Sequence, residues 1–210
     1  MLLENLDSIT NKFLSRYDSF NKFFRPSHVD RKIENNQATP EEIIETHFDE
    51  LRQSLKQEIL ETISNNSPIF FEKLVIDVLV KLGYGGSEKD ARTTLQTNDE
   101  GIDGIINEDR LGLDVIYMQA KRWDHESIVG RPEIQKFAGA LQGKRARKGI
   151  FITVSRFSNT AREYAENIDS KIILIDGDQL AELMIDNNIG VEIKTTYSVK
   201  EVDTDYFIEV

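Results

Sequence analysis

No cysteine occurs in the 210 residues, which removes disulfides and thiolate zinc sites and fits a reducing compartment. Histidine is nearly as scarce: His28, His47 and His125 do not cluster, no role falls to any of them, and His125 reads as a surface-loop residue. No apolar run approaches the length of a membrane span, and Met1-Leu2-Leu3-Glu4 lacks the basic start of a signal peptide, so a cytoplasmic protein is expected. Positive charge is also short, with a formal total of −11, which at first sight argues against a nucleic-acid partner. What is present suffices for folding: 39% hydrophobic content supports a real core, in one domain of good size plus an extension.

The stretch from Glu100 to Arg122 carries the chemistry. Ile102-Asp103-Gly104-Ile105-Ile106 reads as a short strand, Asn107-Glu108-Asp109-Arg110 as a polar turn, and Leu113 to Lys121 as a second strand. Side chains alternate along a strand, so Gln119 and Lys121 share a face while Ala120 points away. A register that sets Asp103 opposite them makes three polar groups converge. Mg²⁺ takes oxygen ligands and keeps several waters, which a carboxylate and an amide carbonyl on adjacent strands satisfy. Lys121 then lies beside the attacking water or the scissile phosphate of a phosphodiester. On spacing alone, the opposite reading stands beside this one: hairpins often end in polar residues, and Asp, Gln and Lys are ordinary on surfaces.

Charge is unevenly spread. Between Gln119 and Arg162 there are ten basic residues (Lys121, Arg122, Arg131, Lys136, Lys144, Arg145, Arg147, Lys148, Arg156 and Arg162) against three acidic ones, Asp124, Glu126 and Glu133. A basic window that begins at the candidate site is what phosphate contacts need, although helix ends also favour cations. Arg122, Arg131, Lys144, Arg145, Arg147, Lys148, Ser155 and Arg156 are the candidate DNA contacts, the last two from a strand end.

The order of elements predicts a mixed α/β domain. Ile43, Ile44, Phe48, Leu51, Leu55, Ile59 and Ile63 recur at helical spacing from Glu41 to Ser64, behind Thr39-Pro40. A second helix runs from about Ile69 to Leu82 and is closed by Gly83. Tyr84-Gly85-Gly86-Ser87 lacks the Lys-Ser/Thr ending of a phosphate loop and reads as a turn. Ile134, Phe137, Ala138 and Leu141 form the buried stripe of a helix that starts near Pro132, with Gln135 on another face: an exposed residue, or an accessory one that approaches the site. Lys148 to Val154 suits a buried strand, Ser158 caps a helix through Ile168, Lys171 to Ile175 is a strand, and Asp176 to Asp186 a helix. Gly190 to Thr195 is expected to add a last strand, and the acidic tail from Glu201 to be loosely held. Alternating strands and helices predict parallel pairing in this half, beside an antiparallel hairpin.

Phe70-Phe71-Glu72-Lys73-Leu74-Val75, Leu82-Gly83-Tyr84-Gly85-Gly86, Gly101-Ile102-Asp103-Gly104-Ile105-Ile106, Gln119-Ala120-Lys121-Arg122-Trp123 and Lys148-Gly149-Ile150-Phe151-Ile152-Thr153 follow one another along the last two-thirds of the chain. In these blocks the chain resembles the catalytic domain of the Mrr-type restriction endonucleases, a branch of the PD-(D/E)xK nucleases. The resemblance implies a restriction-endonuclease-like mixed β-sheet flanked by helices, built as helix, three strands, helix and strand, with a metal-dependent site at the open end of the sheet. It makes Asp103, Gln119 and Lys121 the catalytic centre and adds Glu72 from the first helix, with Asp103, Gln119 and Glu72 as ligands to Mg²⁺ (or Mn²⁺). Glu72 also has a local reading, as an exposed acid in the first turn of a helix. Gln119 stands where most of the superfamily carries Asp or Glu; the Mrr-like branch shares it, so it does not imply inactivation, but it removes one negative charge.

Residues 1–40 resemble the connector that follows a winged-helix reader domain in full-length relatives, and that domain is read as missing; 41–200 is the nuclease domain and 201–210 the tail. The expected activity is hydrolysis of phosphodiester bonds in foreign or methylated double-stranded DNA, by a homodimer or higher homo-oligomer because a double-strand cut needs two sites. The alternative is a binding or assembly module that keeps the fold without cutting. No membrane is involved in either.

Overall fold

A computed structural model describes residues 38–85, 101–109, 111–123 and 127–208. The expected linker before residue 38, Gly86-Ser87, Arg110 and the His125 loop lie outside the described residues. The chain divides into two units at His47 and Phe48. In the first unit, the start of helix α1 (Pro40–Ser64) is fixed by a reciprocal cap: Thr39 N–H donates to Glu42 Oε2 at 2.7 Å, and Glu42 N–H donates to Thr39 Oγ1 at 3.3 Å.

In the second unit, the rest of α1 carries its apolar period throughout but buries only part of it. Phe48 and Leu51 are exposed, whereas Ile59, Leu60 and Ile63 are core residues. Helix α2 (Pro68–Lys81) starts where Ser67 accepts from Phe70 N–H at 3.2 Å, with Pro68 at the first helical position. Its buried face is Phe71, Leu74, Val75, Ile76, Val78 and Leu79.

Strand β1 (Gly104–Asn107) pairs antiparallel with β2 (Val115–Lys121), and Gly104 stands opposite Met118. A two-residue strand, β3 (Ile128–Val129), leads into helix α3 (Arg131–Gly143). Strand β4 (Lys148–Thr153) lies parallel to β2 with Lys121 level with Thr153. Then come β5 (Arg156–Phe157), which pairs with β3, helix α4 (Asn159–Glu166), strand β6 (Lys171–Ile175), which lies parallel to β4, and helix α5 (Gly177–Asp186). Sheet order is β1-β2-β4-β6. The antiparallel hairpin and the parallel half both agree with the sequence pattern, as do the caps at Ser158 and Asp176.

Alternation along β2 and β4 sorts the core into two layers. Met118, Ala120, Ile150 and Ile152 face α1, α2 and α5, and Phe151 faces the layer of Ile134, Phe137, Leu141 and Phe157. Phe151 holds Phe137 and Phe157 edge-on, each with ring centroids 5.7 Å away. Gly149 lets α3 come close, since a Cβ there would meet Leu141 Cδ1 and Phe137 Cε1 at 2.8 Å.

The expected strand over Gly190 to Thr195 is not formed. Val191 is half-buried against the core, but Ile193 is exposed and the segment joins no ladder. Its sequence has strand character, yet among the described residues it pairs with no strand. The tail is ordered locally as a 3₁₀ turn at Thr204–Phe207, capped by Asp203.

Candidate active site

Asp103 sits one residue before β1, and continuing the ladder sets it opposite Gln119. Its N–H donates to the Met118 carbonyl at 2.9 Å, and its Oδ2 accepts from Ala120 N–H at 2.8 Å. Gly101 brings the chain past the Gln119 amide with a left-handed φ of +96°, and a Cβ there would stand 3.4 Å from Gln119 Nε2. Glycine alone meets both conditions without strain. Gln119 is buried, and among the described residues its side chain makes no hydrogen bond.

Glu72 is half-buried on the flank of α2. Burial, and then the charge of Asp103, push its carboxyl above the usual range. Burial likewise raises Asp103, against the opposing pull of Ala120 N–H and the Lys121 charge. Two partly buried carboxyls, Glu72 raised in part by the charge of Asp103, beside an amide oxygen without a partner among the described residues, suit a divalent cation that accepts oxygen ligands. Among the described residues no group of three or more His, Cys, Asp or Glu gathers, so the candidate donor set is two acids and one amide.

Lys121 ends β2 on the same face as Gln119. Its Nζ lies 2.7 Å from Glu133 Oε2 and 5.5 Å from the centroid of the Trp123 ring. Glu133 also accepts from Lys136 at 2.8 Å, and the two lysines hold its carboxyl below the usual range. Sequence reading gave Glu133 no part in the site, placing it at a helix entry and among the acids of the basic window. The signal available was a Glu three residues into a helix whose capping residue, Gly130, has no side chain to answer it. Gln135, the accessory candidate on the same helix, is exposed, next to the buried Ile134.

The candidate DNA contacts do not form one surface. Arg131 and Arg156 are exposed at the Lys121 end of the sheet, and the Arg131 guanidinium is stacked 4.9 Å from the Tyr164 ring centroid. Ser155 is a correction: it is fully buried and its hydroxyl donates to the Ser127 carbonyl, which leaves nothing for a phosphate. Arg122 is half-buried and donates to the Ser64 carbonyl at the end of α1. Lys144, Arg145, Arg147 and Lys148 lie at the opposite end of β4, five residues or about 16 Å from the level of Lys121. There Lys148 pairs with Glu108, and with Asp114 at 2.9 Å.

A mixed sheet that brings Asp103 from the start of its edge hairpin to Gln119 and Lys121 at the end of β2, with Glu72 added from helix α2, is built like a nuclease. Residues 63–184 match the family model Mrr_cat, described as "Restriction endonuclease", and the chain belongs to that family. It is 44% identical over 170 residues to the "Type IV methyl-directed restriction enzyme EcoKMrr" of Escherichia coli (strain K12). That alignment covers 81% of this chain and 55% of the relative, so the chain spans about half of the relative's length. Among solved structures, the MspJI restriction endonuclease in complex with a 27-mer oligonucleotide is similar at a TM-score of 0.49 and 23% identity, over 65% of this chain and 33% of that one. The DNA modification-dependent restriction endonuclease AspBHI is similar at 0.49 and 18%, over 73% and 37%.

Proposed function

We propose that the chain is a metal-dependent endodeoxyribonuclease of the type IV restriction kind, which hydrolyses phosphodiester bonds in foreign or methylated double-stranded DNA. The observation that carries this reading is the convergence at one sheet end of Asp103, set opposite Gln119 and bonded to Ala120 N–H, with Lys121 on the same strand as Gln119 and Glu72 close enough for the Asp103 charge to raise its carboxyl. Membership of a restriction endonuclease family supports it, and the methyl-directed relative supports the substrate class.

Asp103, Glu72 and the Gln119 carbonyl oxygen would hold Mg²⁺ or Mn²⁺, which when bound supplies Lewis acidity and charge neutralisation. Gln119 brings no charge, so the anionic share falls on the two acids. Lys121 presents an ammonium to the charge that builds on the phosphate oxygens as water attacks phosphorus and the bond to the leaving oxygen breaks. Arg131 and Arg156 contact flanking phosphates from the same end. A homodimer supplies the two sites of a double-strand cut, and the cytoplasm is the place of action; no described helix is long and apolar enough to cross a membrane.

The test is digestion of methylated and unmethylated supercoiled plasmid with Mg²⁺ or Mn²⁺. Wild type is expected to yield linear DNA, faster on the methylated substrate, and Asp103→Ala and Lys121→Ala to lose about 100-fold or more. Equal cleavage by all three proteins puts the activity elsewhere. Absence of cleavage together with Asp103-independent metal binding in calorimetry favours the non-cutting module.

A further inference from the structure

In a capping box, a glutamate at the third position of a helix reaches back to the backbone N–H of its own cap. Glu133 does not. Gly130, the capping residue of α3, has no side chain, and the Glu133 carboxylate crosses to β2 and Lys121. Its second oxygen is tied to Lys136 at 2.8 Å, so the group is clamped from both sides and only 15% of its side chain is exposed. Trp123 lies beside the same ammonium. The helix that carries Glu133 is itself seated, through Phe137 and Leu141 against Gly149.

We infer that Glu133 is a positioning residue for Lys121, which holds the ammonium at the end of the strand where the reacting phosphate would lie. A lysine head on four flexible carbons has no fixed place of its own, and the strand supplies none. Glu133 supplies it from a different element. The catalytic value of this restraint rests on the cleavage reading above; the restraint itself does not.

Two measurements test it separately. In metal-free protein, Lys121 is labelled with a small amine-reactive reagent and the modified peptide quantified by mass spectrometry. Glu133→Ala should raise the rate at Lys121 several-fold, and Glu133→Gln, which still accepts a hydrogen bond, should stay near wild type. Exposed Lys200 and buried Lys56 should label at unchanged rates in both. An unchanged rate at Lys121, or a rise shared by Lys56 that signals general loosening, would overturn the inference. In single-turnover cleavage, Glu133→Ala should be slower by about 10- to 100-fold with DNA affinity retained, and Glu133→Gln should recover most of the loss. Wild-type cleavage by Glu133→Ala would overturn the catalytic part. A wild-type protein that cuts no DNA would instead sink the nuclease reading, while the labelling still decides whether Glu133 restrains Lys121.

Discussion

Asp103 carries a cost at neutral pH that a bound cation would remove. Its carboxyl is raised by burial, and Glu72 is raised by burial and by Asp103. A carboxylate whose folded pKa exceeds its unfolded one holds its proton more tightly in the native state. Its ionisation therefore costs nothing in acid and removes stability as pH rises from the ordinary carboxylate range through the raised value. Asp103→Asn is accordingly expected to raise the melting temperature of the metal-free protein at pH 7, on the order of 2 °C, with the gain fading towards pH 4. Added Mg²⁺ should reverse the order, stabilising wild type alone. Thermal melts at several pH values, with and without metal, check both; a destabilised Asp103→Asn at neutral pH would refute the argument. The Asp103, Gln119 and Lys121 set was legible in the sequence because alternation along one hairpin is local. Glu133 was not, because its contact with Lys121 depends on how α3 lies on the sheet, and no period in the sequence encodes that.

Helix α3 shows what an element adds to the site. Its distance from the sheet is set at Gly149, where a Cβ would collide at 2.8 Å with both Phe137 and Leu141, and its first turn delivers Glu133 to Lys121. Gly149→Ala must push the helix outward and should destabilise by about 1–3 kcal/mol. Gly139 in the middle of the same helix is exposed, and a Cβ there meets nothing within 4 Å. Gly139→Ala should therefore stabilise by about 0.5–1 kcal/mol. Urea denaturation of the two variants separates packing from propensity, and similar shifts would contradict the proposed seating of α3. The helix and strand periods named the five described helices and the four strands of the main sheet in advance, but not the two-residue strands β3 and β5 or the 3₁₀ turn. They failed over Gly190 to Thr195, which has strand character but pairs with no described strand. They also marked one apolar series along the whole of α1, of which Phe48 and Leu51 stay exposed: periodicity fixes which residues share a side but not what covers them.

On the scale of the whole molecule, the basic window is cut in two by the length of the sheet. The run from Gln119 to Arg162 passes along α3 and back along β4, so residues adjacent in sequence finish at opposite ends. Arg131 and Arg156 lie with Lys121, whereas Lys144, Arg145 and Arg147 lie about 16 Å away at the start of β4. In a chain of net charge −11, distant negative charge opposes DNA approach, and the cations nearest the scissile phosphate must outweigh it at short range. Removing one cation that neutralises a phosphate should lower the slope of log affinity against log salt by about 0.9. Arg131→Ala with Arg156→Ala is thus expected to flatten that slope by roughly 1–2 on a short duplex that spans one site. The triple change of Lys144, Arg145 and Arg147 to Ala should leave the slope on the same duplex close to wild type. Fluorescence anisotropy titrations at several salt concentrations measure both. A flatter slope from the triple variant alone would mean that the duplex lies along the start of β4, and that Asp103 and Lys121 are not where it is cut.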